Sequence, residues 1–185
     1  MKTRRIALRP VVVSDLPKLF EWRNSDDYRN LVHYDDSSIS YLEFEKEFEK
    51  DSRQRRHQYV IVRISDGEPI GIIFCHTYST KNGFCYLNIF IDKNCKKRGF
   101  GVDALSLVCC SLFEDVTFYK VYLEAFEYNS FSLQNIRHFG FAEEGIFKGH
   151  KMLNGTRYDV IRFALYREDL GLLRKIKNHF SKESP

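Results

Sequence analysis

Phe84-Cys85-Tyr86-Leu87-Asn88-Ile89-Phe90-Ile91, then Lys96-Lys97-Arg98-Gly99-Phe100-Gly101, then an apolar run over residues 102–113, read in order as strand, basic turn and helix. Aromatic and β-branched content predicts the strand. The glycines let the turn approach an anion closely and take positive φ. Turn N–H groups and the unpaired N–H groups of the helix's first turn then point at that anion, and three consecutive cations add attraction. The stretch predicts a phosphate-bearing cofactor at residues 96–101. It is not a nucleotide P-loop: G-x-x-x-x-G-K-[ST] is absent, and Val102, Asp103 and Ala104 follow Gly101, so G-x-G-x-x-G is absent too. Taken alone, the turn also fits a solvated basic loop with a glycine hinge.

Working upstream, residues 6–9 read as a first strand stopped by Pro10. Ser14 reads as an N-cap with Asp15 and Pro17 in the helix's first turn. Residues 27–40 read as loop or broken helix, and residues 41–50 as a second helix. Residues 59–64, 70–78 and 84–91 form a meander, turned at Asp66-Gly67 and Asn82-Gly83. Downstream come a strand at 120–126 and a helix at 129–139 closed by Gly140. Strands at 147–153 and 158–166 follow about Asn154-Gly155, then a basic amphipathic helix at 168–180. The order predicts a single α/β (α+β) domain over 1–185, with its core at about 6–166. The strand–helix–strand unit over 84–126 predicts a parallel pair at the centre of a mostly antiparallel sheet.

Bulk properties exclude several classes. At 185 residues the chain is long enough to bury a sizeable core. Aromatics at 15% predict clefts lined by Phe and Tyr rather than disorder. A net charge of +4, dispersed along the chain, argues against a nucleic-acid partner. The short stretch Arg53, Arg55, Arg56 fits a solvated loop or an anion-attracting rim. Cys75, Cys85, Cys95, Cys109 and Cys110 include no C-x-x-C, so free thiols in a reducing compartment are expected, with no metal site. No signal peptide precedes residue 9, and no run approaches the roughly 20 apolar residues of a membrane span. A cytoplasmic protein without membrane partners is expected.

The element order, with a basic glycine-rich turn opening the central helix, resembles the GNAT acetyltransferase superfamily, most closely the RimJ/RimL type. Four blocks carry the resemblance. They are Leu8-Arg9-Pro10 with Asp15-Leu16 and Trp22-Arg23-Asn24; Ile91-Asp92 through Gly101; Asn129, Ser132 and Gly140-Phe141; and Glu144-Gly145 with Leu153-Asn154-Gly155 and Tyr158-Asp159-Val160. The resemblance implies a GNAT-like sheet of about seven strands flanked by helices, with a splayed central parallel pair. It implies acetyl-CoA as acyl donor. Backbone N–H groups of Lys97, Arg98, Gly99, Phe100 and Gly101 would hold the pyrophosphate, with Lys96 where the family has Gln or Arg. Main-chain groups of Ile89 and Ile91 would pair with the pantetheine arm.

By the same resemblance Asn129 contacts the cofactor and Ser132 meets the leaving thiolate; the residues alone equally fit a helix N-cap. Relatives acting on ribosomal proteins carry a base Glu where this chain has Lys151. That leaves Glu124, His150, Tyr86 and His33 as bases, although strand alternation would turn His150 away. Trp22, Arg23 and His33 would wall the acceptor pocket. The expected activity is direct acetyl transfer to a primary amine, a protein N-terminus or a small molecule. The alternatives are acetylation of a nucleotide-linked amino sugar and a non-catalytic acyl-CoA-binding module. Leu170, Leu172, Leu173 and Ile176 of the last helix could pack on their own domain or on a second subunit in a homodimer.

Overall fold

The computed structural model describes residues 1–32, 37–54 and 57–181, the side chains of 51–54 and 180–181 excepted. The strands are β1 (Ile6–Pro10), β2 (His57–Arg63), β3 (Pro69–Ser79), β4 (Phe84–Ile91), β5 (Lys120–Phe126), β6 (Ala142–Leu153) and β7 (Thr156–Tyr166). The helices are α1 (Leu16–Arg23), α2 (Asp26–Leu31), α3 (Tyr41–Gln54), α4 (Phe100–Leu112), α5 (Ser130–His138) and α6 (Gly171–Ser181). One sheet runs β1-β2-β3-β4-β5-β7-β6. Every pairing is antiparallel except β4 with β5.

Alternation along the strands builds two cores. Cys85 and Leu87 of β4, with Val121, Leu123 and Ala125 of β5, face α4, α5 and α6. Phe90 of β4, with Ile72 and Phe74 of β3, faces α1, α2 and α3 through Leu19, Trp22, Tyr28 and Phe44. Helix α6 seats Leu173 in the first core at 0% exposure, so this helix packs on its own domain. All five cysteines are buried free thiols. Burial pushes the Cys109 thiol well up, which suits packing rather than chemistry. No described helix is long and apolar enough to cross a membrane.

Three sequence expectations shift. Ser14 does not cap α1: Val13–Asp15 form a 3-10 turn, and Asp15 is clamped by Arg9 at 2.6 and 2.7 Å. The stretch read as loop or broken helix begins with a short intact helix, α2, opened by the Ser25 hydroxyl accepting from the Tyr28 N–H at 3.2 Å. The penultimate strand begins five residues early, at Ala142 rather than Phe147.

The feature that positions the site is the β4–β5 junction. Its parallel register covers only Phe84↔Lys120, Cys85↔Val121 and Tyr86↔Tyr122. Beyond Tyr86 each strand stays with its outer neighbour: β4 follows β3 to Ile91, and β5 follows β7 to Phe126. The centre of the sheet therefore opens as a V with Tyr86 and Tyr122 at its apex.

Candidate active site

In an antiparallel ladder the main-chain groups of one residue point to one side, and successive residues alternate. The Asp92 N–H donates to the Ile70 carbonyl at 2.8 Å, continuing the β3–β4 register. Phe90 and Asn88 share that parity and face β3. Ile89 and Ile91 accordingly turn their N–H and C=O groups into the V, beyond the last β4–β5 pairing at Tyr86↔Tyr122. Unpaired backbone polar groups beside a cleft await a partner.

The turn after β4 lies at the open end. Lys97 (φ 61°) and Gly99 (φ 80°) are left-handed on either side of Arg98, an alternation that gathers successive N–H groups into an anion-binding concavity. Gly99 directly precedes α4. The N–H groups of residues 98–101 have no hydrogen-bond partner among the described residues. A cleft of about 1140 Å³ runs from this turn through the V, large enough for a ligand of cofactor size.

Ile89, Ile91, Lys96, Lys97, Gly99, Phe100, Gly101, Glu124, Asn129 and Ser132 all line the cleft. Arg98 does not; its carbonyl faces away from the cleft, onto Arg5. The Lys96 ammonium pairs with Asp27 of α2 at 2.8 Å. Asn129 serves as the N-cap of α5, its Oδ1 accepting from the Ser132 N–H at 3.2 Å. The capping and cleft-facing readings of this pair are thus compatible.

Glu124 is the one carboxylate among the described cleft-lining residues. Arg162 of β7 stands opposite it, with Nε and Nη2 donating to its Oε1 at 3.0 and 2.7 Å. The Arg162 guanidinium is itself held over the rings of Phe147 (4.5 Å) and Tyr86 (5.1 Å). Burial pushes the Tyr86 hydroxyl up; Arg162 opposes this and Glu124 reinforces it. Tyr86 therefore stays protonated at neutral pH, a donor at the apex rather than a base.

Three expected site residues lie elsewhere, and His33 lies outside the described residues, as do Arg55, Arg56 and the Arg53 side chain. His150 is exposed and does not line the cleft. Lys151 turns inward to 1% exposure and His150 outward, the sides that strand alternation gives them, although the β6–β7 register slips between Phe147 and Lys151, where Gly149 takes φ 58°. The Lys151 ammonium lies 5.6 Å from the ring of Phe126, itself in the cleft wall. Trp22 is core, 2% exposed, its indole N–H donating to Asp92 at 2.7 Å. It anchors the segment leading into the turn. Arg23 is 5% exposed and donates to Glu47 and to the Ser37 carbonyl, both at 3.3 Å. Both are packing residues and do not wall the cleft.

Helix α2 ties the two arms of the V together. Asp27 reaches Lys96 beyond β4, and the Asn30 carbonyl accepts from the Tyr128 hydroxyl beyond β5. Tyr28 packs between them on Phe90, ring centroids 5.1 Å apart.

The family profile described as Acetyltransferase (GNAT) domain matches residues 5–142. The chain belongs to the GNAT acetyltransferase family. It is 24% identical over 170 residues to the SPbeta prophage-derived uncharacterized N-acetyltransferase YokL of Bacillus subtilis (strain 168), covering 90% of this chain and 93% of that one. Its fold superposes on the spermidine N-acetyltransferase of Vibrio cholerae in complex with CoA and spermine, with a TM-score of 0.82 at 19% identity, covering 90% and 98% of the two chains. It also superposes on RimL, a ribosomal L7/L12 alpha-N-protein acetyltransferase in complex with CoA, with a TM-score of 0.76 at 18% identity, covering 88% and 94%. As a GNAT protein the chain is an acyltransferase. At these identities the solved relatives speak to fold alone, and they leave the amine acceptor open.

Proposed function

We propose that this GNAT domain transfers an acetyl group from acetyl-CoA directly to a primary amine, in the manner of the RimJ/RimL branch. The observation that carries the donor is the early end of the β4–β5 pairing at Tyr86↔Tyr122, which leaves main-chain groups of Ile89 and Ile91 open beside the basic turn. In this reading Ile89 and Ile91 bind the pantetheine amides as a missing strand would. The N–H groups of residues 98–101, with Lys96 and Lys97, bind the pyrophosphate. The thioester supplies an activated acyl carbon. A main-chain N–H of the β4 arm polarises its carbonyl, and Asn129 and Ser132 sit where the thiol departs.

Glu124 takes the proton from the attacking amine, directly or through one water. Its carboxylate stands next to the apex of the V, and Arg162 fixes its orientation. The inward Lys151 places a cation at the position of the usual RimL-type base, which turns the choice toward Glu124 and away from ribosomal-protein specificity. Arg23 is buried on Glu47 and the Ser37 carbonyl, away from the cleft, and offers no cation to the diphosphate of a nucleotide-linked amino sugar, so a plain amine, small-molecule or peptide, is the favoured acceptor.

Lys96 must leave Asp27 to meet a phosphate. Asp27→Asn is therefore expected to tighten CoA binding by about two- to fivefold, the worth of an exposed ion pair. Titration calorimetry checks this; weaker binding would place Lys96 outside the phosphate site.

The function is tested by release of free CoA from acetyl-CoA against N-terminal peptides, polyamines, aminoglycosides and nucleotide amino sugars. Thiol release with one class and acetylated product by mass spectrometry is the expected result. Silence across the panel with CoA binding intact would count against catalysis on these amines and favour an acyl-CoA-binding role.

A further inference from the structure

We propose that Arg5 is a positioning residue for the donor, held by Asp103 and Thr3 in a brace that sets the peptide planes of the pyrophosphate turn; this rests on the acetyl-CoA reading above. Arg5 lies just before β1, far from the turn in sequence. Its Nη1 donates to the Arg98 carbonyl at 2.9 Å and its Nη2 to the Gly99 carbonyl at 3.4 Å. On its other side Nε and Nη2 donate to the two oxygens of Asp103, at 2.9 and 2.6 Å. Asp103 is in the first turn of α4 and fully buried. The Thr3 hydroxyl donates to the same carboxylate at 3.3 Å, and its oxygen accepts the Arg5 and Ile6 N–H groups at 3.2 Å.

A trans peptide is planar, and its C=O and N–H point in opposite directions. Capture of the Arg98 and Gly99 carbonyls on the Arg5 side therefore sends the N–H groups of Gly99 and Phe100 the other way. That way is the cleft: Gly99 and Phe100 line it, and Arg98 does not. The Gly99 carbonyl also accepts from the Val102 and Asp103 N–H groups at 3.1 and 3.2 Å, so Arg5 and α4 together aim the Phe100 N–H, and Arg5 holds the Arg98 carbonyl whose peptide aims the Gly99 N–H. Arg5 has a second effect. A carboxylate in the first turn of α4 would oppose an anion bound at the same helix end, and the guanidinium neutralises it. Only a planar fork meets Asp103 and two carbonyls together; an ammonium offers a point charge. The space is matched as well, since a Cβ on Gly99 would stand 3.1 Å from Arg5 Nη2.

The test uses the full chain. Arg5→Lys keeps the charge beside Asp103 and loses the fork. Its CoA dissociation constant by calorimetry is expected to rise about tenfold, with kcat at saturating donor unchanged. Pantetheine lacks the pyrophosphate, and the melting-temperature shift that it induces should match wild type. Because Arg5→Met would strand a buried carboxylate, the second variant is Arg5→Gln/Asp103→Asn, which removes both charges together and should show the same selective loss. CoA affinity within twofold of wild type in either folded variant would overturn the inference, as would equal weakening of CoA and pantetheine. Absence of CoA binding by the wild type would overturn the donor reading, and this inference with it.

Discussion

Gly99→Glu is expected to weaken CoA binding by at least about a hundredfold, read by calorimetry, in a protein that still unfolds cooperatively. Three effects act in one direction. At φ 80° an L-residue carries roughly 1–2 kcal/mol of backbone strain. The new Cβ meets the Arg5 guanidinium at 3.1 Å, so Arg5 must shift from the turn's carbonyls. The carboxylate then adds a negative charge to a site that gathers N–H groups and cations for an anion. Gly99→Ala separates these contributions. It retains the strain and the contact without the charge, and should lose only about tenfold, in line with that strain. Near-wild-type CoA affinity in Gly99→Glu would mean that the turn does not anchor the donor.

Glu124→Gln should lower kcat by about a hundredfold, the lower end of what a positioned base contributes, with the KM for acetyl-CoA almost unmoved. Glutamine is isosteric and can still accept a hydrogen bond from Arg162, so the apex keeps its shape. Loss of the charge leaves a partly exposed guanidinium with a weaker partner, a stability cost on the order of 1 kcal/mol. Steady-state kinetics with the acceptor found in the amine panel, beside a thermal melt, separate rate from stability. A kcat within threefold of wild type would remove Glu124 from proton transfer.

The sequence showed the framework clearly where strands are covered on both faces. β4 and β5 read within their observed bounds because aromatic and β-branched residues fill both faces, and the basic glycine-rich turn between them stands out by composition. β6 was read late because Ala142, Glu143, Glu144 and Gly145 belong to an edge strand exposed on both sides, with no apolar alternation to see. The α2 segment reads only as loop or broken helix because six mostly polar residues carry too little periodicity.

Within the site, residues on the β4–turn–α4 unit were legible, being consecutive in sequence. Pairs made by sheet register were not. Arg162 meets Glu124 only because β7 pairs with β5, and Arg5 meets Gly99 only because β1 folds beside α4. One signal was available: Asp103 is the lone charged residue in the mostly apolar run 102–113, and a buried charge requires a partner. Trp22 and Arg23 were read as pocket walls because their block resembles family sequence; their contacts with Asp92 and Glu47 show that the block supports the fold. His150 points away from the cleft, as strand alternation indicates, and the inward position belongs to Lys151.

The most direct test of donor placement is amide hydrogen exchange with and without CoA, resolved residue by residue. Binding in the V should slow exchange at Ile89 and Ile91 and at residues 98–101, and leave Phe90 and the β6 edge unchanged. Protection confined to other segments, or none at saturating CoA, would contradict a donor seated between β4 and β5.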